Sequence, residues 1–200
     1  MEKRIDDLQK AKQAFQAANS GGTFSFSDPT LLEYYIQTGL VKAEAVCSHI
    51  IDNFFYKDCP PRKILIFAHH QVVMDTIMVE LGKVGINSIR IDGQTPAHQR
   101  PVLCDRFQTD SDVQAAVLSI TAAGVGITLT AASVVIFAEL HFNPGMLLQA
   151  EDRAHRVGQK DSVFVQYLLA RNTADDNIWR LIEDKIRVLG QASRPYTYHT

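Results

Sequence analysis

The chain has 200 residues, of which 46% are hydrophobic and 21% charged, a composition typical of one globular domain with a sizeable core. Its formal net charge of −2 excludes a strong overall basic field, so contact with a polyanion needs a local patch. Three widely spaced cysteines argue against a disulfide framework or a cysteine metal site and favour a reducing compartment. We find neither a signal-peptide pattern nor a membrane-spanning apolar run, and we expect a soluble intracellular domain without membrane contact.

Residues 1–60 are predicted to form a helical extension. Apolar residues recur at helical spacing from Leu8, and a segment rich in Gly, Ser and Pro then interrupts the pattern. Asp28 is a suitable N-cap for a second helix because its side chain can accept a backbone hydrogen bond, and Pro29 suits the first turn. The second helical pattern runs as far as the breaker DCPPR at 58–62.

From Lys63 onward, short apolar runs alternate with helical patterns. Such runs are typical of strands buried on both faces, and the alternation predicts parallel crossovers. We therefore expect an α/β fold with a doubly wound, mostly parallel sheet over residues 61–190, followed by a tail at 191–200. The predicted strands are Ile64–Ala68, Ser88–Asp92, Gln114–Ile120, Ser133–Glu139 and Ser162–Ala170.

Ligands of such sheets bind outside the carboxyl ends of the strands. Topology alone therefore selects the residues that follow each strand as site candidates. These are His69 and His70, Asp92 and Gly93, Thr121 to Gly126, and Glu139 to Asn143.

Each of these strand ends also has a structural interpretation. Gly124 and Gly126 allow backbone to approach a ligand closely, but they equally suit a tight turn. Asp92 followed by Gly is more typical of a turn than of a binding site. His69 and His70 point to opposite faces, so they form a poor metal site, and helix capping, phosphate contact and a plain structural role stay open.

The segment QAEDRAHRVGQ at 149–159 is the most distinctive in the chain. We predict a helix over Pro144–Arg156, on which Arg153 and Arg156 share a face and Gln149 lies one turn earlier. Two arginines presented together form a permanently charged, forked donor surface that suits phosphate oxygens. A surface helix with internal ion pairs is the alternative interpretation of this segment alone.

The ordered set of strand-end motifs resembles the second RecA-like lobe of superfamily 2, Swi/Snf-type DNA translocases, and within them the annealing-helicase, HARP-like branch. The resemblance covers about 63–190. It rests on ILIFAHH, RIDGQT, LSITAAGVGITLTAAS, FAEL, FNPG and QAEDRAHRVGQ.

This resemblance implies roles residue by residue. Arg153 and Arg156 match the motif VI arginines that reach ATP held by the first lobe, with Arg156 at the position of the arginine finger. Gln149, Gly124 and Gly126 match positions near the nucleotide. Contacts to the DNA backbone are expected from Ser119, Thr121, His69, His70, Asp92 and Gly93.

The resemblance also implies the surroundings of this lobe. The phosphate-binding loop and the magnesium-binding acidic box belong to the first lobe and are missing from this sequence. We therefore expect ATP and Mg²⁺ to be bound mainly by that lobe, the chain alone to be inactive, and the full protein to act on DNA in the nucleus. A non-catalytic lobe that docks DNA or protein is the main alternative, and a self-sufficient nucleotide-binding enzyme is disfavoured because no Walker loop or dinucleotide fingerprint is present.

Overall fold

The computed structural model describes residues 2–20, 25, 27–56, 62–124, 129–153, 163–188 and 197–199. Gly126 and Arg156 lie outside the described residues. Across the part of the chain that is described, no helix is both long enough and apolar enough to cross a membrane.

A six-stranded sheet forms the centre of the fold. Its strand order is β2-β3-β1-β4-β5-β6, and every neighbouring pair is parallel. The predicted doubly wound α/β architecture is confirmed, and the last short strand was not predicted. The strands are β1 (Lys63–Ala68), β2 (Asn87–Ile91), β3 (Val113–Ser119), β4 (Ala132–Phe137), β5 (Phe164–Leu168) and β6 (Thr197–His199).

Helices cover both faces of this sheet. The second helix begins as predicted: Asp28 is its N-cap, and its carboxylate accepts a hydrogen bond from Thr30 N at 2.8 Å, with Pro29 in the first turn. The helices are α1 (Glu2–Ala18), α2 (Pro29–Phe54), α3 (Gln71–Lys83), α4 (Gln99–Thr109), α5 (Pro144–Glu151) and α6 (Ala174–Val188), and a 3-10 turn spans Ile120–Gly124.

The central strands separate two apolar cores because successive side chains point to opposite faces. In β1, Leu65 and Phe67 belong to the core under α1, α4, α5 and α6. Ile64 and Ile66 belong to the core under α3. Helix α2 contributes to both cores, with its N-terminal part in the first and its C-terminal part in the second. The N-terminal helical region is therefore part of the same packed unit as the sheet.

A buried ion pair joins α2 to α6. Lys42 Nζ lies 2.7 Å from Asp175 Oδ2 and also donates to Leu168 O at 3.1 Å. Asp175 Oδ2 accepts a second hydrogen bond from Ala170 N at 2.9 Å. Both charged side chains are buried, so removing either partner would leave an uncompensated charge at a cost of about 3–5 kcal/mol. This pair holds the middle of α2 against the end of β5.

Candidate functional site at the carboxyl edge of the sheet

The carboxyl ends of β1, β3 and β4 meet at the middle of the sheet. Ala68 is in register with Ser119, and Phe67 is in register with Phe137. The backbone of Ala138 continues this alignment by donating from its N–H to Phe67 O at 2.8 Å. The structure therefore brings the strand-end residues of three predicted motifs together along one edge.

Glu139 is the buried centre of this edge. Its Oε2 accepts hydrogen bonds from the backbone N–H groups of His69 at 2.7 Å and His70 at 2.8 Å. Its Oε1 lies 2.7 Å from His70 Nδ1. These N–H groups lie at the start of α3, where the N-cap residue His70 makes no side-chain cap of its own. A carboxylate two residues beyond the end of β4 therefore caps the start of α3, where the helix dipole favours a negative charge.

Ionisation of Glu139 is favoured in this position. Burial opposes the charged form, but the hydrogen bonds from His70 and the charge of Lys42 outweigh it, so the pKa of the Glu139 carboxyl lies below its ordinary value. His70 Nδ1 is occupied by this contact. Of the two predicted histidines, His70 thus contributes to the helix cap, one of the interpretations that the sequence left open.

His69 lies in an aromatic group on the same edge. Its ring centroid is 5.6 Å from that of Tyr35, 4.8 Å from that of His70 and 5.3 Å from that of His141. Burial, together with the neighbouring His70, lowers the pKa of His69 to about 4. Nδ1 is buried and has no hydrogen-bond partner among the described residues. At neutral pH, His69 is therefore an uncharged group, suited to neutral hydrogen bonding and stacking.

Asp92 and Gly93 form a turn after β2. The Asp92 carboxylate is buried and accepts hydrogen bonds from Gln94 N at 2.8 Å, Thr95 N at 3.1 Å and Arg90 Nε at 2.8 Å. Gly93 is exposed. The side chain of Asp92 therefore stabilises local geometry, and a role for this turn in DNA contact stays a prediction.

Ser119, the last residue of β3, is paired with Thr121 in the 3-10 turn that follows. Their hydroxyl oxygens are 2.8 Å apart; Ser119 is buried, whereas Thr121 is exposed. Gly124 ends the 3-10 turn, and α5 packs against this turn. The predicted phosphate-contacting residues of this motif thus lie at the end of β3 and on a short turn supported by the helix that leads to Arg153.

The helix predicted over Pro144–Arg156 is shorter in the structure. It ends at Glu151, Asp152 and Arg153 form a turn, and residues 154–156 of the predicted helix lie outside the described residues. The prediction is wrong here because the chain tightens: Arg153 N donates to Ala150 O at 3.2 Å, three residues back, in place of the four-residue helical spacing. Gln149 is exposed on the helix and Arg153 is half-buried.

A backbone hydrogen bond connects the last two motifs directly. Leu129 N donates to Arg153 O at 3.2 Å. In a longer helix, the Arg153 carbonyl would point along the helix axis toward the next turn. Here it accepts a hydrogen bond from Leu129, which joins the chain at Leu129 to the end of α5. Arg153 therefore lies beside Leu129, and the helix that precedes it, α5, packs against the 3-10 turn at Ile120–Gly124.

Sequence reasoning missed several residues that build this edge. Glu139 was found by topology but received no role. Gly39 in the middle of α2 was overlooked, although a glycine inside a helix is itself a signal of close approach. A methyl group on Gly39 would lie 2.5 Å from Glu139 Oε1 and 3.3 Å from Val73 Cγ2. Tyr35, one turn earlier, donates its hydroxyl to Leu140 O.

The fold and this edge define a RecA-like α/β lobe with polar residues at and just beyond the ends of its central strands. Residues 42–158 match the family described as the helicase conserved C-terminal domain. The chain belongs to this family, and its helicase-lobe resemblance is confirmed.

Relatives from the Swi/Snf-related and annealing-helicase branches share most of this chain. It is 65% identical over 190 residues to the SWI/SNF-related matrix-associated actin-dependent regulator of chromatin subfamily A-like protein 1 homolog of Caenorhabditis elegans, covering 95% of this chain and 27% of the relative. It is 40% identical to the DNA annealing helicase and endonuclease ZRANB3 of Mus musculus, covering 92% of this chain and 17% of the relative. The chain thus spans roughly a quarter or less of these curated relatives.

A solved structure shares the fold. The crystal structure of the C-terminal part of the Fun30 ATPase domain superposes with a TM-score of 0.62 at 29% sequence identity. The matched region covers 88% of this chain and 54% of that one. The shared architecture therefore includes nearly the whole chain.

The close contact at Gly39 leads to a test by Gly39→Ala. Alanine normally stabilises a helix interior by up to about 1 kcal/mol relative to glycine. Here we expect a loss of about 2 kcal/mol or more, because the new methyl group would overlap the fixed Glu139 carboxylate. The free energies of unfolding of the parent and of Gly39→Ala are compared by urea denaturation. Gly82→Ala in α3 is the matched control, since no atom lies within 4 Å of its added methyl group; equal effects at the two glycines would contradict the packing argument.

The lowered pKa of His69 predicts a pH dependence of stability. Between the ordinary pKa of 6.5 and about 4, the unfolded chain binds a proton that the folded chain does not. The contribution of His69 is therefore complete above pH 6.5 and is lost as the pH falls toward 4. In His69→Phe, the free energy of unfolding should fall less steeply across this window than in the parent. Parallel curves for His69→Phe and the parent would refute the assignment.

Proposed function

We propose that this chain is the second motor lobe of an ATP-dependent DNA translocase of the annealing-helicase type. In this proposal the lobe supplies Arg153 and Arg156 to ATP bound on a first lobe and contacts the DNA backbone along its carboxyl edge. The observation that carries the proposal is the hydrogen bond from Leu129 N to Arg153 O, which joins the chain beyond the 3-10 turn to a residue that we propose contacts ATP. Family membership supports it, because the relatives include proteins named as DNA annealing helicases.

The chemistry of the residues fits one wall of a nucleotide site. The guanidinium of Arg153 is permanently charged and offers donors in a fork that matches phosphate oxygens. Among the described residues, no group of three or more His, Cys, Asp or Glu side chains is arranged to hold a metal ion. We therefore assign Mg²⁺ to the first lobe and phosphate contact to this lobe, with Gln149, Gly124 and Gly126 near the nucleotide.

ATP hydrolysis supplies the free energy for stepping in this proposal, and the residues of this chain respond to it. Arg153 and Arg156 neutralise phosphate charge across the cleft and thereby draw the two lobes together. Because Leu129 is hydrogen-bonded to Arg153, a shift of the α5 end is passed to the segment after β3. The hydroxyls of Ser119 and Thr121 lie at the start of that segment.

DNA contact at this edge would be independent of sequence. Hydroxyls, backbone N–H groups and the uncharged ring of His69 suit phosphate and sugar oxygens, which carry no base information. His70, Asp92 and Gly93 complete the edge in this proposal, mainly by holding it in shape. The names of the chromatin-related and DNA-annealing relatives support DNA as the partner and the nucleus as the location.

The nucleotide role is tested in the full-length protein that contains this chain. Arg153→Ala and Arg156→Ala should each lower the kcat of DNA-stimulated ATP hydrolysis roughly a hundredfold or more, while the Kd for duplex DNA stays near that of the parent. Arg106→Ala is the control, since this exposed arginine on α4 faces Asp110. A near-parental kcat in either motif VI variant would remove that arginine from the proposed role.

The chain on its own should bind ATP weakly and hydrolyse none. It lacks a phosphate-binding loop, and phosphate donors on one wall stabilise no transition state without the other. Labelled ATP is titrated into the purified chain, and phosphate release is measured with forked, duplex and single-stranded DNA. The full-length protein at the same concentration is the positive control. Robust DNA-stimulated hydrolysis by the chain alone would refute the division of the site between two lobes.

A further inference from the structure

A buried polar contact connects the end of α5 to the sheet. The hydroxyl of Tyr167 donates to Glu151 Oε1 at 2.5 Å. Both residues are only 2% exposed. A buried carboxylate is costly unless it is hydrogen-bonded, so this contact restricts where the last residue of α5 can lie.

Tyr167 itself is held on two sides. Its ring is stacked on Phe137 of β4, with centroids 4.4 Å apart and planes 5° from parallel, and the two residues are in register across β4 and β5. Trp179 of α6 packs against the same ring at 5.5 Å. The hydroxyl is therefore presented by the rigid sheet rather than by a loop.

Backbone hydrogen bonds connect Arg153 to the end of α5, where Glu151 lies. Asp152 N donates to Leu148 O at 3.0 Å, and Arg153 N donates to Ala150 O at 3.2 Å. Leu129 N holds the Arg153 carbonyl from the opposite side. The backbone of Arg153 is thus fixed relative to α5, and α5 is fixed relative to the sheet through Glu151.

We infer that Tyr167 is a positioning residue for Arg153, acting through Glu151 to hold the end of α5 at the geometry that turnover requires. This inference rests on the proposed nucleotide role of Arg153. A directional hydrogen bond specifies where the helix end lies, whereas an apolar pair would fill the same space without specifying it. Displacement of a charged contact by about 1 Å can lower a rate by up to about a hundredfold, so the positioning would be visible in kcat.

The test uses Tyr167→Phe in the full-length protein, because this change keeps the ring stack and removes only the hydroxyl. We expect kcat for DNA-stimulated ATP hydrolysis to fall roughly tenfold. KM for ATP should stay within about twofold of the parent, since most ATP contacts lie on the other lobe. Tyr34→Phe is the control: this tyrosine is as little exposed as Tyr167, and its hydroxyl donates to Asn172 O at 3.0 Å, away from α5. This control should lower Tm, because it also removes a tyrosine hydrogen bond, and should keep the parental kcat.

A double-mutant cycle isolates the pair. Glu151→Leu removes the acceptor, and the double variant with Tyr167→Phe should be no slower than the slower single variant. Multiplying effects would mean that the two residues act independently and would overturn the inference, as would equal losses of kcat in Tyr167→Phe and Tyr34→Phe. If Glu151→Leu does not fold, the comparison of the two Tyr→Phe variants decides.

Arg153→Ala in the same assay separates this inference from the proposed function. Loss of turnover in Arg153→Ala with parental turnover in Tyr167→Phe would overturn only the positioning role. Parental turnover in Arg153→Ala would remove Arg153 from its proposed nucleotide role and would overturn the positioning role with it. Loss in both, with the Tyr34→Phe control unaffected, is the expected result.

Discussion

The architecture of the carboxyl edge depends on the buried carboxylate of Glu139. It accepts hydrogen bonds from two backbone N–H groups at the start of α3 and from the ring of His70. These partners repay the cost of burying a charge. They also fix β4, the start of α3 and the passing helix α2 relative to one another, because Gly39 leaves no room for a side chain beside the carboxylate.

Helix α2 crosses this edge with one stripe of residues. Tyr35, Gly39 and Lys42 are spaced by four and then three positions, so they share a helix face. Tyr35 donates to Leu140 O just beyond β4, Gly39 abuts Glu139, and Lys42 reaches the end of β5 and Asp175. The helix therefore contacts the ends of two neighbouring strands. Movement of α2 would displace its contacts at the ends of both strands, which is a useful property in the proposed two-lobed motor.

The two proposed functional segments are supported from behind in the same manner. Arg153 follows a helix whose last residue, Glu151, is held by Tyr167 of β5. Ser119 ends β3, and Thr121 lies on the turn against which α5 packs. In each case, contacts with the sheet or a neighbouring helix set the position of the proposed functional residues. A site built in this way keeps its geometry while the partner lobe approaches or leaves.

The sequence by itself determined the α/β class, the central strands and the edge at which the candidate site lies. Apolar runs that alternate with helical patterns have a local period, and parallel strands necessarily collect their carboxyl ends on one edge. The sequence also indicated the family, because QAEDRAHRVGQ and its companions lie at successive predicted strand ends, and residues 42–158 match the helicase conserved C-terminal domain. Only tertiary structure decided how that edge is held together. Three of its contacts join residues distant in sequence: Glu139 with His70, Gly39 with Glu139, and Glu151 with Tyr167. The end of α5 also involves a distant partner, Leu129. No local sequence pattern encodes which distant partner a buried polar group will find.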